Sequence, residues 1–226
     1  TQSPVKFWAI EHSIPILEPN KLDDKFLSEL KKYDLKLSIV VAYGKIMPED
    51  IINLPKFGTI NIHYSLLPKY RGATPVESAI LSGDTETGVS IQQMQFALDS
   101  GPILASEVLK IGQSETTPEL KVRLNHIGKK LLVELIPKIL SEKLNPLVQD
   151  DASATFCKKI KKEHGEILAT DTDETRWRKY KAYFGWPGVF YFENSKRIKI
   201  TRARFTDGKF IIEKVIPEGK KEIDWK

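Results

Sequence analysis

The sequence predicts an α/β fold, in which a doubly wound and mostly parallel sheet precedes a small C-terminal β-barrel-like domain. Helical and strand-like patterns alternate through the first two thirds of the chain, which is typical of a parallel sheet covered on both faces. From residue 145 a polar, charged stretch interrupts this alternation, and short strand patterns separated by turn residues follow it. The composition, 41% hydrophobic and 29% charged over 226 residues, is that of an ordinary globular protein. No apolar run approaches the roughly 18 residues that a membrane span requires.

The first part opens with a helix. Ser3 is expected to cap it, with Pro4 in its first turn and residues 5–11 as its body. Because an α/β domain normally opens with a strand, we expect that a first βαβ unit is missing from the start of this chain. The other expected elements are a strand at 14–17, an amphipathic helix at 22–33, a buried strand at 37–42, a short helix at 48–54, a strand at 58–63, a helix at 75–81, a strand at 88–94 and a long capped helix at 118–140.

The chain is expected to divide into a catalytic domain (1–144), a linker (145–165) and a basic β-rich domain (166–226). A helix at 173–183 is expected to open the last domain. Strands are then predicted at 188–193, 197–202 and 210–215, separated by Asn194-Ser195 and Asp207-Gly208 turns.

Charge is distributed unevenly. Up to Asp151 there are 17 Lys and Arg against 19 Asp and Glu, whereas the remainder has 18 against 11. A clustered basic surface attracts phosphate backbones, although a solvated lysine-rich surface explains the same numbers. The single cysteine, Cys157, excludes an internal disulfide and fits a cytoplasmic protein.

Polar residues occupy one face of a strand that ought to be interior. Asn61, His63 and Ser65 alternate along it, and they lie at its carboxyl end, where open α/β sheets bind ligands. Such residues cost several kcal/mol of desolvation unless they are paired or used. Asp99 follows another strand and is expected to face the same cleft. The alternative is that Asn61 and His63 only bond to nearby backbone and end the strand.

An amide, an imidazole and a carboxylate can together transfer an acyl group without a covalent intermediate. The asparagine donates to the developing oxyanion, while the histidine, oriented by the aspartate, stabilises charge and moves a proton. Ser65 lacks the setting of a nucleophile elbow, and no metal-binding spacing is present, so we expect a metal-free site.

The segments Asn61-Ile-His63, Ser65-Leu-Leu-Pro68 and Leu98-Asp99-Ser-Gly-Pro102 together resemble the folate-dependent formyltransferases. This resemblance implies a doubly wound, Rossmann-like domain that uses 10-formyltetrahydrofolate as formyl donor. It implies that Asn61 polarises the formyl oxygen, that His63 stabilises charge and transfers a proton, and that Asp99 orients His63. The implied folate contacts come from two loops: Tyr43, Lys45, Ile46 and Met47 in one, and Ser65, Leu66, Leu67 and Pro68 in the other.

The acceptor is suggested by segments outside this core. Lys69-Tyr70-Arg71-Gly72, Phe184-Gly-Trp-Pro-Gly-Val-Phe190 and Lys196-Arg-Ile-Lys-Ile200 are similar to the members of the family that act on initiator methionyl-tRNA. The expected tRNA contacts are Arg71, Lys158, Lys159, Arg197, Lys199 and Arg202, in a monomer. Two other hypotheses stay open: a formyltransferase acting on a sugar-nucleotide amine or glycinamide ribonucleotide, and a non-catalytic RNA-binding protein on the same scaffold.

Overall fold

A computed structural model describes residues 3–225. The outer limits of the two predicted domains, residues 1 and 226, lie outside the described residues. The helices are α1 (Pro4–Glu11), α2 (Asp24–Leu30), α3 (Glu49–Ile52), α4 (Pro75–Ser82), α5 (Thr117–Leu140) and α6 (Asp173–Ala182). The strands are β1 (Ser38–Val41), β2 (Thr59–His63), β3 (Arg71–Gly72), β4 (Glu86–Gln93), β5 (Ile103–Lys110), β6 (Phe156–Cys157), β7 (Val189–Glu193), β8 (Lys196–Thr206), β9 (Lys209–Pro217) and β10 (Ile223–Asp224).

The first sheet has the order β1-β2-β4-β5 and is mixed, so the prediction of a mostly parallel sheet is wrong. Only β1 and β2 pair in parallel, while β2 with β4 and β4 with β5 are antiparallel. The register pairs His63 with Ser90, so β4 enters the sheet at the end where β2 leaves it. Strand β5 then follows β4 through a hairpin. Alternation of helix and strand patterns does not encode strand direction, which the connections decide.

The first elements follow the predictions unevenly. Helix α1 begins as expected, with the Ser3 hydroxyl accepting a hydrogen bond from the Lys6 amide. Residues 14–17 form no strand, and the second helix is shorter than predicted because Asp23 caps it at Asp24. Strand β5 is absent from the predicted elements, since it is half exposed and lacks a continuous apolar run.

Helix α5 covers β4 and β5 and holds the main core. Its start is secured by Glu119, whose carboxylate accepts a hydrogen bond from the Thr116 amide at 2.8 Å. Leu120 and Leu124 of this helix are fully buried in the hydrophobic core. Gly128 lets the helix approach the sheet, since a Cβ there would lie 3.1 Å from Ile62. Helix α5 therefore packs against the sheet that contains β2, and the candidate site lies at the carboxyl end of that strand.

The second sheet, of order β10-β9-β8-β7, is antiparallel throughout. Among residues 3–225, β7 and β10 do not pair with each other, so the sheet is not closed into a barrel, while its antiparallel strands are consistent with the small β-rich domain that the sequence predicts. Strand β10 is only two residues long, too short to close a barrel against β7. Helix α6 packs on α4 and on this sheet, where Trp177 stacks with Tyr180 and Phe205.

The segment predicted as a linker is built into the first part of the fold. Leu147 exchanges two backbone hydrogen bonds of 2.8 Å with Ile103, and β6 pairs in parallel with β3. The domain boundaries themselves stay a prediction.

Candidate active site

Strand β2 lies between β1 and β4, and it places Asn61 and His63 on one face. Residues Ile60 and Ile62, which alternate with them, belong to the hydrophobic core. Asn61 is partly exposed, whereas His63 is buried. The strand therefore carries an accessible amide beside an imidazole held in the interior.

The Asp99 carboxylate meets both side chains. Its Oδ1 accepts hydrogen bonds from Gln92 Nε2 at 2.9 Å and from Asn61 Nδ2 at 3.4 Å. Its Oδ2 accepts from the Gly72 amide at 2.8 Å and lies 3.8 Å from His63 Nδ1. Asp99 adopts a left-handed backbone conformation, with φ 47°. The structure thus brings together the three residues that the sequence singles out for catalysis.

The His63 ring is enclosed, with only 5% of the residue exposed. Its Nε2 lies 2.9 Å from the Tyr70 carbonyl, and its Nδ1 faces Asp99. Only Nε2 is within hydrogen-bonding distance of its acceptor, because the 3.8 Å between Nδ1 and Asp99 Oδ2 is too long for a direct hydrogen bond.

Two side chains near Asp99 were not predicted. Gln92 bonds its carboxylate, and Gln149 Nε2 donates to the backbone carbonyls of Asp99 and Gly101 at 2.9 and 2.7 Å. Gln149 precedes two aspartates in a polar run, so its sequence context is that of a solvated linker. Gln149 lies beside Asp99 because the chain returns to the first sheet after α5, where Leu147 pairs with Ile103.

Arg71 does not lie on a free surface, so the prediction that it contacts tRNA lacks support from the structure. The residue is 4% exposed, and its Nε and Nη2 donate to Gln149 Oε1 at 3.0 and 2.8 Å. Nη2 also bonds Asp151 at 2.7 Å. The guanidinium is used inside the protein because β3 pairs with β6 and draws residues 149–151 over it.

The loop after β2 is ordered by its own hydrogen bonds. Ser65 is fully buried and donates to the Lys69 carbonyl at 2.6 Å, while the Leu67 amide donates to Ser90 Oγ at 3.1 Å. Ser65 and Leu67, both predicted to contact folate, therefore shape the loop from inside. Leu66 and Pro68 instead line a cavity of about 560 Å³. The other lining residues are Lys69, Tyr70, Gly83, Asp84, Thr85, Glu86, Thr87 and Ser153, so this cavity does not include Asn61, His63 or Asp99.

The loop after β1 lies at the same edge of the sheet as the loop after β2, because these two strands are parallel. Tyr43 and Ile46 are exposed, and Met47 is partly buried. Lys45 is tied down by hydrogen bonds from Nζ to the carbonyls of Pro19 and Asn20, at 3.2 and 2.9 Å. Exposed apolar and aromatic side chains are thus available beside β2.

The predicted basic contacts are in different environments. Lys158, Lys159 and Lys199 are exposed. Arg197 lies over the Phe190 ring at 3.9 Å, and Arg202 forms an ion pair with Glu213 at 3.0 Å. Glu213 also pairs with Arg204 at 3.1 Å and so offsets part of the positive charge on this face.

Cys157 is buried beside the site. Burial raises the pKa of its thiol, so the neutral form dominates at physiological pH. Its Sγ accepts a hydrogen bond from the Thr74 amide at 3.3 Å. The residue is placed for packing rather than for nucleophilic chemistry.

Two features are absent from residues 3–225. No group of three or more His, Cys, Asp and Glu side chains is arranged to hold a metal ion. None of the helices in this range combines the length and apolar character needed to cross a membrane.

Comparison with known proteins places these features in a family. The family model described as "Formyl transferase" matches residues 1–136, more than half of the chain. The methionyl-tRNA formyltransferase of Dictyoglomus turgidum is 40% identical over 207 residues, which is 91% of this chain and 66% of that protein. The chain thus spans about two thirds of the length of this curated relative.

Solved structures share the fold. A methionyl-tRNA formyltransferase from Clostridium thermocellum superposes with a TM-score of 0.68 and 20% identity, covering 97% of this chain and 92% of that one. WlaRD, a sugar 3N-formyl transferase solved in the presence of dTDP and 5-N-formyl-THF, gives a TM-score of 0.72 and 19% identity, covering 97% and 83%. At these identities the likeness shows the fold alone. With a family model that covers residues 1–136, in which Asn61, His63 and Asp99 converge, the chain belongs to the formyl transferase family.

Proposed function

We propose that this chain carries the catalytic machinery that transfers a formyl group from 10-formyltetrahydrofolate to the amino group of methionine on initiator tRNA. The amine nitrogen attacks the formyl carbon, the new C–N bond forms, and the bond from that carbon to N10 of the folate breaks. The proton lost by the amine is transferred to N10. The observation that carries the proposal is the convergence of an amide, an imidazole and a carboxylate at one sheet edge.

Asn61 is the proposed oxyanion donor. Its bond to Asp99 is long, at 3.4 Å, and the residue is partly exposed, so its amide can turn toward a bound formyl oxygen. His63 is proposed to stabilise the developing charge and to transfer the proton. Because Nε2 is occupied by the Tyr70 carbonyl, proton transfer through this nitrogen requires the ring to leave that acceptor. Asp99 is the proposed positioning group for the ring.

The folate is proposed to lie between the two loops at this edge. Tyr43 and Ile46 offer exposed apolar surface, and Leu66 and Pro68 offer partly exposed surface on the other loop. Ser65 and Leu67 act indirectly, by holding the second loop in shape.

The tRNA is proposed to contact the basic residues outside the site. Lys158, Lys159 and Lys199 are the best placed, because each is exposed, and Arg197 and Arg202 flank Lys199 on β8. Such contacts with phosphates give an affinity that falls as the salt concentration rises, and they do not distinguish one base from another. The proposal includes the division at 1–144, 145–165 and 166–226, a monomeric protein, and action in the cytoplasm where charged tRNA is used.

The proposal is tested by formylation assays on the gene product that contains this chain. Charged initiator tRNA, glycinamide ribonucleotide and an amino-sugar nucleotide are compared as acceptors with 10-formyltetrahydrofolate as donor. We expect turnover with the tRNA and loss of most turnover in His63→Ala, with tRNA affinity nearly unchanged. Turnover only with another acceptor would overturn the tRNA assignment. Absence of turnover with every acceptor, together with tRNA binding, would favour a non-catalytic RNA-binding protein.

A further inference from the structure

Gln149 is a buried side chain with every polar atom occupied. It is 8% exposed, and its Nε2 donates to the carbonyls of Asp99 and Gly101 at 2.9 and 2.7 Å. Its Oε1 accepts from Nε and Nη2 of Arg71 at 3.0 and 2.8 Å. A buried amide whose hydrogen bonds are all made has one orientation. Turning it by 180° would place its NH2 group against the Arg71 guanidinium and its oxygen against the two carbonyl oxygens.

The two carbonyls belong to a turn that has little conformational freedom. Asp99 has a φ of 47°, which disfavours most side chains. Gly101 passes so close to β4 that an added Cβ would lie 1.7 Å from the Gln93 carbonyl oxygen. Inward-facing carbonyls in such a turn need donors, and a lost partner costs roughly 1–3 kcal/mol. Gln149 supplies both donors from a segment about 50 residues further along the chain.

Arg71 connects this amide to the other side of the carboxylate. Arg71 is adjacent in β3 to Gly72, whose amide donates to Asp99 Oδ2 at 2.8 Å. The backbone of Asp99 is therefore held through Gln149, and its carboxylate is held through Gly72, with Arg71 joined to both. The exposed Asp151 carboxylate accepts a further hydrogen bond from Arg71 Nη2 at 2.7 Å.

We propose that Gln149, oriented by Arg71, is a positioning residue that sets the direction of the Asp99 carboxylate toward His63. It does not touch the reacting atoms; it acts through the turn at residues 99–101. The expected effect on turnover rests on the proposed function, whereas the expected effect on the His63–Asp99 geometry is independent of it.

The matched test compares Gln149→Ala with Gln113→Ala, in which the same side chain is removed from an exposed position without a described side-chain hydrogen bond. For Gln149→Ala we expect kcat to fall by about 10- to 100-fold, since displacements near 1 Å cost this much in other enzymes. KM for the tRNA and for the folate should change by less than about threefold, and Gln113→Ala should match the wild type. Unchanged kcat per folded molecule, or a loss confined to KM, would overturn the proposal.

Gln149→Glu provides a variant of the same shape if the alanine variant does not fold. The new carboxylate keeps the acceptor for Arg71, but its second oxygen faces the Asp99 and Gly101 carbonyls, so the same fall in kcat is expected. Arg71→Lys keeps the charge and loses the paired donors, and an intermediate loss is expected. Wild-type kcat in both variants would contradict the positioning role.

The ring geometry is measured separately from turnover. Imidazole ¹⁵N–¹H spectra, with the His63 signals assigned from a His63→Gln spectrum, should show shifted His63 signals in Gln149→Glu and none in Gln113→Ala. Unmoved His63 signals in Gln149→Glu would refute the inference. If the wild type fails to formylate any acceptor, the proposed function fails, and these spectra alone decide the positioning role.

Discussion

Replacing Asp99 with Asn tests the site with the least disturbance of the fold. The two side chains have the same shape, and asparagine tolerates the left-handed conformation that Asp99 adopts, with φ 47°. The variant removes the negative charge that lies 3.8 Å from His63 Nδ1. It also turns one acceptor into a donor, opposite either the Gly72 amide or the Gln92 and Asn61 amides.

The expected fall in kcat follows from the 3.8 Å distance between Asp99 Oδ2 and His63 Nδ1. At this separation a unit charge pair is worth about 1 kcal/mol in water and about 4 kcal/mol at an effective dielectric constant of ~20. If the imidazolium is needed in the transition state, kcat falls by roughly 5- to 1,000-fold. The opposed donors should lower the free energy of unfolding by about 1–3 kcal/mol.

The assay is single-turnover and steady-state formylation at saturating folate and tRNA, beside urea unfolding. Asp34→Asn is the matched control, because that side chain is 83% exposed and pairs only with Lys36 among the described residues. Its kcat should equal that of the wild type. A change of less than twofold in Asp99→Asn would refute the charge argument, and a collapse of tRNA affinity would show that Asp99 serves binding instead.

Three further substitutions test packing and ionisation. Gly101→Ala should abolish most turnover and lower the melting temperature, because the new Cβ would lie 1.7 Å from the Gln93 carbonyl oxygen; a wild-type melting curve would contradict this close approach. Leu124→Ala should lower the free energy of unfolding by about 2–5 kcal/mol in urea titrations, because Leu124 is fully buried in the hydrophobic core. A loss below about 1 kcal/mol would contradict its core position. Burial lowers the pKa of Lys181, so its charged form costs stability below the folded-state pKa, and the cost fades as pH rises toward the unfolded value near 10.5. Unfolding at pH 7 and pH 10 should therefore show the wild type gaining stability relative to Lys181→Met as pH rises, and a parallel pH dependence of the two proteins would exclude the effect.

The part of the candidate site that is formed by residues close together in the sequence could be predicted. Asn61 and His63 alternate on one strand, so their common face follows from a two-residue repeat, and turn residues around Asp99 place it after another strand. The burial of Arg71, expected from the resemblance to contact tRNA, could not be predicted in this way, because the pairing of β3 with β6 is what covers this residue.

The sequence by itself determined the six helices, strands β1, β2, β4, β7, β8 and β9, the caps of several helices, and which polar side chains share the face of β2. These features depend on contacts within a few residues, and the local periodicity encodes them. Only the tertiary structure decided that the first sheet is mixed, that the second stays open, and that Gln149 and Arg71 reach the Asp99 turn. Strand direction and such contacts depend on how distant segments meet, because hydrogen bonds across about 50 residues are selected by the packing of the whole chain and not by any local pattern.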